Sequence, residues 1–272
     1  MTWLPLIILA LIQGITEFLP ISSSGHLILV HHIFNNDMQW SNRLVLDVAV
    51  HIGTLFSVLL YFRKDVGTML CGLKTAATGD FKSKGARLNG YILLGSMPVI
   101  IAGLLLNMLQ PSWIMLMNVV AATTLAFGIL LWIADRLPKR DKTLEDLNFK
   151  DALIIGCAQS LALIPGTSRS GITMTAARFL GYSRSESAHF SLLLAIIAIA
   201  GAGVIGGCEL YKMGDFELGL DALAAAFIAF LSGWLAISLM MKWLEKSSFT
   251  PFAIYRIILG IGLLIGINAN IF

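Results

Sequence analysis

One polar run inside an apolar segment constrains this chain more than anything else in it. Gln13, Thr16, Glu17, Ser22, Ser23, Ser24 and His26 follow the apolar stretch 3–12 and precede the apolar stretch 27–30. A carboxylate, an amide, hydroxyls and an imidazole thus fall where a membrane protein places leucine. Such groups are costly at that depth unless they face a polar cavity, which makes them site candidates. Pro20 lacks a backbone donor and Gly25 frees the backbone, so a helix is expected to break between them. Broken backbone inside a bilayer persists only where protein buries it or water reaches it. Residues 1–30 are therefore expected to form two short helices that dip into the membrane and return to the same side.

Composition decides that a membrane is the right setting. Of 272 residues, 57% are hydrophobic and 13% charged, against about 25% charged in a soluble domain. The expected class is an all-α polytopic membrane protein. The net charge of +3 gathers on no amphipathic face, which argues against nucleic acid. Cys71, Cys157 and Cys208 are scattered and odd in number, so neither a disulfide framework nor a metal spacing follows. The start lacks the basic region of a signal peptide, and its apolar run is too short to span.

Along the chain, spans are expected over 44–62, 88–106 and 113–134, with a kink at Pro98. A polar loop, 31–43, carries Asn35, Asn36 and Asp37. A basic loop, 63–87, carries Arg63, Lys64, Lys74, Lys82, Lys84 and Arg87. The charged segment 135–151 divides the single integral domain 1–272 into halves, 1–134 and 152–272. The second half repeats the plan. A short helix over 152–164 breaks at Pro165-Gly166-Thr167-Ser168-Arg169-Ser170-Gly171, returns over 172–180, and is followed by spans over 185–206, 220–241 and 251–271. Six transmembrane helices and two re-entrant hairpins result. Three spans per half is odd, so the halves run in opposite directions, an inverted-topology repeat whose broken loops meet near the midplane. With both termini outside, the inner loops carry nearly all the loop Lys and Arg, as the positive-inside rule requires.

Gln13 and Glu17 are one turn apart and share a helical face. Their oxygens suit a hard divalent cation or a positioned water. Ser22, Ser23, Ser24 and Gly25 at a helix start form an anion site. His26, three residues after Ser23, is within reach for proton transfer. The second loop supplies Arg169, suited to bidentate phosphate recognition. Together these residues describe a phosphate or pyrophosphate site for a lipid with a phosphorylated head group. The remaining polar residues read as structure. Asp47–His51 and Glu186–His189 are helix-end pairs facing water, and His31 and His32 are interfacial. Arg178 snorkels, and Arg256 anchors the last span near the inner surface.

Gln13-x-x-x-Glu17, the run Phe18-Leu19-Pro20-Ile21-Ser22-Ser23-Ser24-Gly25-His26 and the Pro165–Gly171 motif closely resemble the signatures of bacterial undecaprenyl-diphosphate phosphatases of the bacitracin-resistance type. So does Ser-Phe-Thr-Pro-Phe-Ala-Ile-Tyr-Arg at 248–256. The resemblance covers essentially the whole chain. It implies an enzyme of the bacterial cytoplasmic membrane that hydrolyses undecaprenyl diphosphate to the monophosphate and inorganic phosphate, with Mg²⁺ or Ca²⁺ and a site open to the outer side. It assigns Glu17 as catalytic carboxylate and metal contact, with Gln13 sharing the metal. Ser23 becomes phosphate contact and nucleophile, with water the alternative attacker. His26 becomes the acid/base, and Arg169 the phosphate clamp. Gln13, Ser22, Ser24, Gly25, Thr167, Ser168, Ser170, Gly171 and His51 complete the substrate-binding set. Where the family pattern has Glu or Gln first, this chain has Gln13, which lowers the negative charge of the site. The partners implied are the lipid diphosphate and the bilayer, with a homodimer left open. The competing expectation is a polyprenyl-phosphate flippase or anion transporter, because inverted repeats with broken helices are also transporter architecture.

Overall fold

The computed structural model describes residues 3–33, 40–109, 111–137, 141–213 and 219–269. The expectations for Asn35, Asn36 and Asp37 lie outside these residues, as do those for the side chains of His32 and Arg43. The described chain is helical: α1 (Trp3–Phe18), α2 (Ser23–Ile33), α3 (Trp40–Tyr61), α4 (Arg63–Ala77), α5 (Lys84–Leu109), α6 (Met117–Arg136), α7 (Phe149–Ser160), α8 (Arg169–Leu180), α9 (Arg184–Met213), α10 (Gly219–Leu244) and α11 (Thr250–Asn268). No strand forms among the described residues. Six helices (α3, α5, α6, α9, α10 and α11) are long and apolar enough to cross a membrane, each reaching the length of roughly 20 residues that a bilayer core requires.

The segment expected as a basic loop, 63–87, is a loop only in part, because α4 occupies its first half. Asp65 in the first turn and Lys74 in the last complement the helix dipole, which supports a helix the charge count alone did not suggest. The Asn89 side chain of α5 donates to the Met69 carbonyl at 2.8 Å and ties α4 down. Pro98 sits inside α5.

Two charged residues of the expected 135–151 boundary loop are buried as clamps. The Asp135 carboxylate, 2% exposed, takes Arg184 Nε at 2.6 Å and the backbone N–H of Phe249 at 3.0 Å. The start of α9 and the start of α11 are thereby fastened to the end of α6. Asp151 accepts from Lys142 Nζ at 3.1 Å and from the Tyr182 hydroxyl at 2.8 Å. Burial, and then the Asp151 carboxylate, hold the Tyr182 phenol above its ordinary range.

Apolar side chains point two ways. Leu104, Leu105 and Met108 of α5 and Leu220, Leu223 and Phe227 of α10 are exposed, as lipid-facing residues are. Phe18, Leu131, Phe190, Leu193, Ile237 and Phe249 are buried in one cluster. Polar residues also lie inside: Gln13, Thr54, Ser57, Thr167 and Arg256 are all fully buried. That inside-out distribution is tolerable only if their groups are paired or face a cavity.

Candidate active site

Both broken segments turn on a serine in the left-handed region. Ser22 has φ +75° and Ser168 φ +69°. The side-chain oxygen of Ser22 accepts the N–H of Gly25 at 3.4 Å, and its carbonyl accepts the N–H of His26 at 3.3 Å. Ser168 does the same with Gly171 at 3.1 Å and Ile172 at 2.9 Å. Each serine thereby caps a short helix. The first break falls at 19–22, not across to Gly25, which lies in the first turn of α2. A Cβ at Gly25 would meet nothing nearer than 3.4 Å, so close backbone approach is not what this position requires. Arg169, expected in the second loop, is the first residue of α8.

The two turns meet. The Ser170 hydroxyl donates to the Leu19 carbonyl at 2.9 Å. Beside that link, Glu17 at the end of α1 collects three donors. Gln13 Nε2 and Ser23 Oγ each reach Oε2 at 2.8 Å, and an Arg169 terminal nitrogen reaches Oε1 at 2.9 Å. The other Arg169 nitrogen donates to the Ser191 carbonyl of α9 at 3.2 Å. The side chains of Glu17 and Arg169 are 9% and 14% exposed. Arg169, expected as a phosphate clamp, is here the counter-charge of a nearly buried carboxylate.

Other sequence candidates are placed differently. His26 does not touch Ser23 or Glu17. Its Nδ1 lies 2.7 Å from the Ser22 carbonyl and its Nε2 2.6 Å from the Tyr255 hydroxyl. Ser24 is exposed, with its hydroxyl 3.4 Å from that of Ser22. Ser168 caps its own turn and Ser170 links the two turns, and the buried Thr167 hydroxyl has no partner among the described residues. His51 bonds the Asp47 carbonyl through Nδ1 at 2.6 Å. It lines a cavity of about 330 Å³ with Leu44, Asp47, Val48, Ala202, Gly203 and Gly206. The Asp47 carboxylate pairs with His31, not His51, at 3.1 Å. Glu186 and His189 are likewise not a pair: Glu186 accepts the Leu144 N–H at 2.9 Å, and His189 faces Asp65 at 3.2 Å.

Two arginines read as interfacial are not. Arg178 is buried and turns back onto the Tyr182 carbonyl at 2.6 Å. Arg256 is fully buried, and one terminal nitrogen donates to the Gly166 and Thr167 carbonyls at 2.9 and 2.8 Å. Thr123 serves the Pro165 carbonyl at 2.6 Å. The carbonyls of the second break thus each have a donor, which backbone at this depth needs. Gly166 (φ +87°) packs so tightly on Thr123 and Val120 that a side chain would not fit. An arginine within an apolar span was itself the signal that could have found Arg256. Tyr255 gave none.

The donors suit a weakly held cation. Among the described residues no cluster of three or more His, Cys, Asp or Glu exists. Beside Glu17, however, Gln13 Oε1 is buried without a hydrogen-bond partner among the described residues. One carboxylate and one amide oxygen fit a hard divalent ion whose other ligands are phosphate oxygens and water.

The family described as bacitracin resistance protein BacA matches residues 6–262. The chain is 47% identical over 266 residues to the undecaprenyl-diphosphatase of Hahella chejuensis, covering 97% of this chain and 98% of that one. It is 47% identical over 260 residues to that of Ruegeria pomeroyi, covering 95% and 96%. It is 44% identical over 269 residues to that of Alteromonas mediterranea, covering 97% and 98%. A match of this length, with Glu17, Ser23 and Arg169 drawn together, means that the chain belongs to the bacitracin resistance protein BacA family.

Proposed function

We propose that this protein hydrolyses undecaprenyl diphosphate to undecaprenyl phosphate and inorganic phosphate, returning the lipid carrier to peptidoglycan synthesis. The observation that carries this reading is the Glu17–Ser23–Arg169 cluster, closed across 152 positions of sequence. The names of the relatives support the substrate.

Ser23 Oγ–H already donates to Glu17. The carboxylate is placed to take that proton as Oγ bonds to the terminal phosphorus and the bridging P–O bond breaks, releasing undecaprenyl phosphate. Water then cleaves the phosphoserine, and the proton returns to Oγ. The same carboxylate would serve a water attacking directly, and a trapped phosphoserine separates the two routes. Once protonated, Glu17 no longer holds Arg169 by charge, so the guanidinium nitrogen that faced it is free for the phosphate oxygens as charge develops there, while Ser191 steadies the other. Ser22, Ser24, Gly25 and the 167–171 turn surround the head group, and His51 borders it from α3. His26 serves as acid/base through Nε2. Glu17 and Gln13 would hold Mg²⁺ or Ca²⁺, which when bound neutralises phosphate charge.

The halves 1–134 and 152–272 are read as inverted repeats, with α1–α2 and α7–α8 as the re-entrant hairpins. In support, the halves exchange partners: α1 packs on α10, and α7 packs on α5. The site then opens to the outer face of the cytoplasmic membrane, and 63–87 lies in the cytoplasm by its basic charge. To test the orientation, cysteine is placed at Ser83 in a background without Cys71, Cys157 and Cys208. Labelling by an impermeant reagent in intact cells would refute it.

The function is tested by phosphate release from undecaprenyl diphosphate with purified protein in detergent, where a carrier has no two sides to join. Release that chelator abolishes and Mg²⁺ or Ca²⁺ restores is the expected result. No release sinks the phosphatase, and full turnover after exhaustive chelation sinks the metal role.

A further inference from the structure

We propose that Tyr255 is a positioning residue that fixes the orientation of the His26 ring, whose tautomer the Ser22 carbonyl sets. The proposal rests on the acid/base role of His26 under the function given above.

Adjacent residues of α11 reach both broken segments. Arg256 turns inward to the carbonyls of the second turn. Tyr255 reaches the first hairpin, its hydroxyl 2.6 Å from His26 Nε2. The two ring planes are nearly parallel, 9° apart with centroids 5.7 Å apart. The other ring nitrogen, Nδ1, is 2.7 Å from the carbonyl of Ser22. A carbonyl oxygen only accepts, so Nδ1 carries the hydrogen. In the neutral ring Nε2 is then the basic atom, and it accepts from the Tyr255 O–H. The opposite tautomer would set a lone pair against the Ser22 carbonyl.

A phenol suits this place chemically. It donates to neutral imidazole and accepts from imidazolium, so the bond survives a change in His26 protonation without moving the ring. Lysine or arginine could only donate, and carboxylate could only accept. Tyr255 holds the ring by the reactive nitrogen itself, so a proton reaches or leaves Nε2 by way of the hydroxyl, which gives up one proton as it takes another. The other charged groups nearby are engaged elsewhere. Glu17 of α1 and Arg169 of α8 hold each other, Arg256 serves the second turn, and α6 presents Val120 beside Gly25. Tyr255 is 43% exposed, so its ring contributes little to the core and a purely structural role is small.

The test uses the full chain in detergent, with Tyr255→Phe, His26→Asn and the double variant. Phenylalanine keeps the ring and removes the hydroxyl. Tyr255→Phe should lower kcat about 10- to 100-fold, the usual effect of losing such an orienting partner, with KM little changed. The limb of the pH profile that His26→Asn removes should move in Tyr255→Phe. In the His26→Asn background, Tyr255→Phe should cost nothing further. Wild-type kcat in Tyr255→Phe, or an equal loss in the His26→Asn background, overturns the proposal. A second readout needs no turnover: ¹⁵N spectra of imidazole-labelled protein, with His26→Asn to assign the signal. The Nε2 signal should differ between wild type and Tyr255→Phe, because the donor to that nitrogen is lost, and an unchanged signal overturns the proposal. Absence of phosphate release by wild type would instead defeat the functional reading and leave this spectrum to decide.

Discussion

Ser22 and Ser168 adopt the same left-handed backbone, and each is followed by the same bonds. The oxygen of each serine accepts an N–H three residues on, and its carbonyl accepts one four residues on. Each hydroxyl also lies near a second serine two residues on, 3.4 Å for Ser24 and 3.2 Å for Ser170. Nine residues before each stands a buried glutamine, Gln13 or Gln159, with an unpartnered oxygen. The chemistry between these fixed points is not shared. Ser23 stands where the second turn has Arg169, His26 where it has Ile172, and Glu17 where it has Leu163. The backbone device is present twice because each break must satisfy its own polar groups in a bilayer. The charges are divided because two carboxylates, or two guanidiniums, brought face to face would repel. A complete site exists only when the turns meet.

The sharpest way to break this division is to erase the difference. Arg169→Ser gives the second turn the Ser-Ser-Ser-Gly sequence of the first. We expect kcat to fall by at least about 10²–10³-fold. Stability should fall by about 3–5 kcal/mol, because Glu17 is left buried without its partner. From sequence alone, replacing a phosphate clamp should leave the fold intact; the Glu17 contact changes that expectation. Arg169→Lys should recover much of the melting temperature but little of kcat, since it keeps the charge and loses the fork. A lysine variant with near-normal phosphate release would break the argument.

A smaller effect is expected from the support under the second turn. Arg256→Met removes two charge-assisted bonds to the Gly166 and Thr167 carbonyls, which should cost about 2–3 kcal/mol in thermal unfolding. Phosphate release by the surviving folded protein should stay within about tenfold of wild type, one hydrogen bond's worth of rate. Lost kcat at unchanged melting temperature would place Arg256 in the site, not beneath it.

The smallest effects test the shared backbone. Ser22→Ala and Ser168→Ala each lose a cap and keep a strained φ, so about 1 kcal/mol should go from each. The glycine variants lose the cap but relieve the φ, and should stay within a few tenths. Melting temperatures of the four variants check this. Unlike responses at the two serines would mean that the turns are alike only in outline.

Six apolar stretches, two polar breaks, Glu17 beside Gln13 and an arginine in the second break were legible in the chain, because hydropathy and helical spacing are local properties. The order Ser-x-Ser-Gly, recurring at 22–25 and 168–171, was legible too and marks both turns. The α4 helix was hidden by its charge, which resembles that of a loop. The pairings of His31 with Asp47 and of His189 with Asp65 were hidden by nearer partners in sequence.

What the sequence determined by itself was that this chain must enter a membrane, that two of its apolar stretches must break at polar motifs, and that an acid and a guanidinium stand beside those breaks. Only the tertiary structure decided which groups satisfy which. Glu17 takes Arg169, Arg256 serves the carbonyls of the second turn, and His26 goes to Tyr255 instead of Ser23. The reason is physical. A helix settles its own backbone within four residues, whereas a broken helix leaves carbonyls and charges that local sequence cannot pair. Their partners come from helices far along the chain, and packing alone fixes which ones arrive.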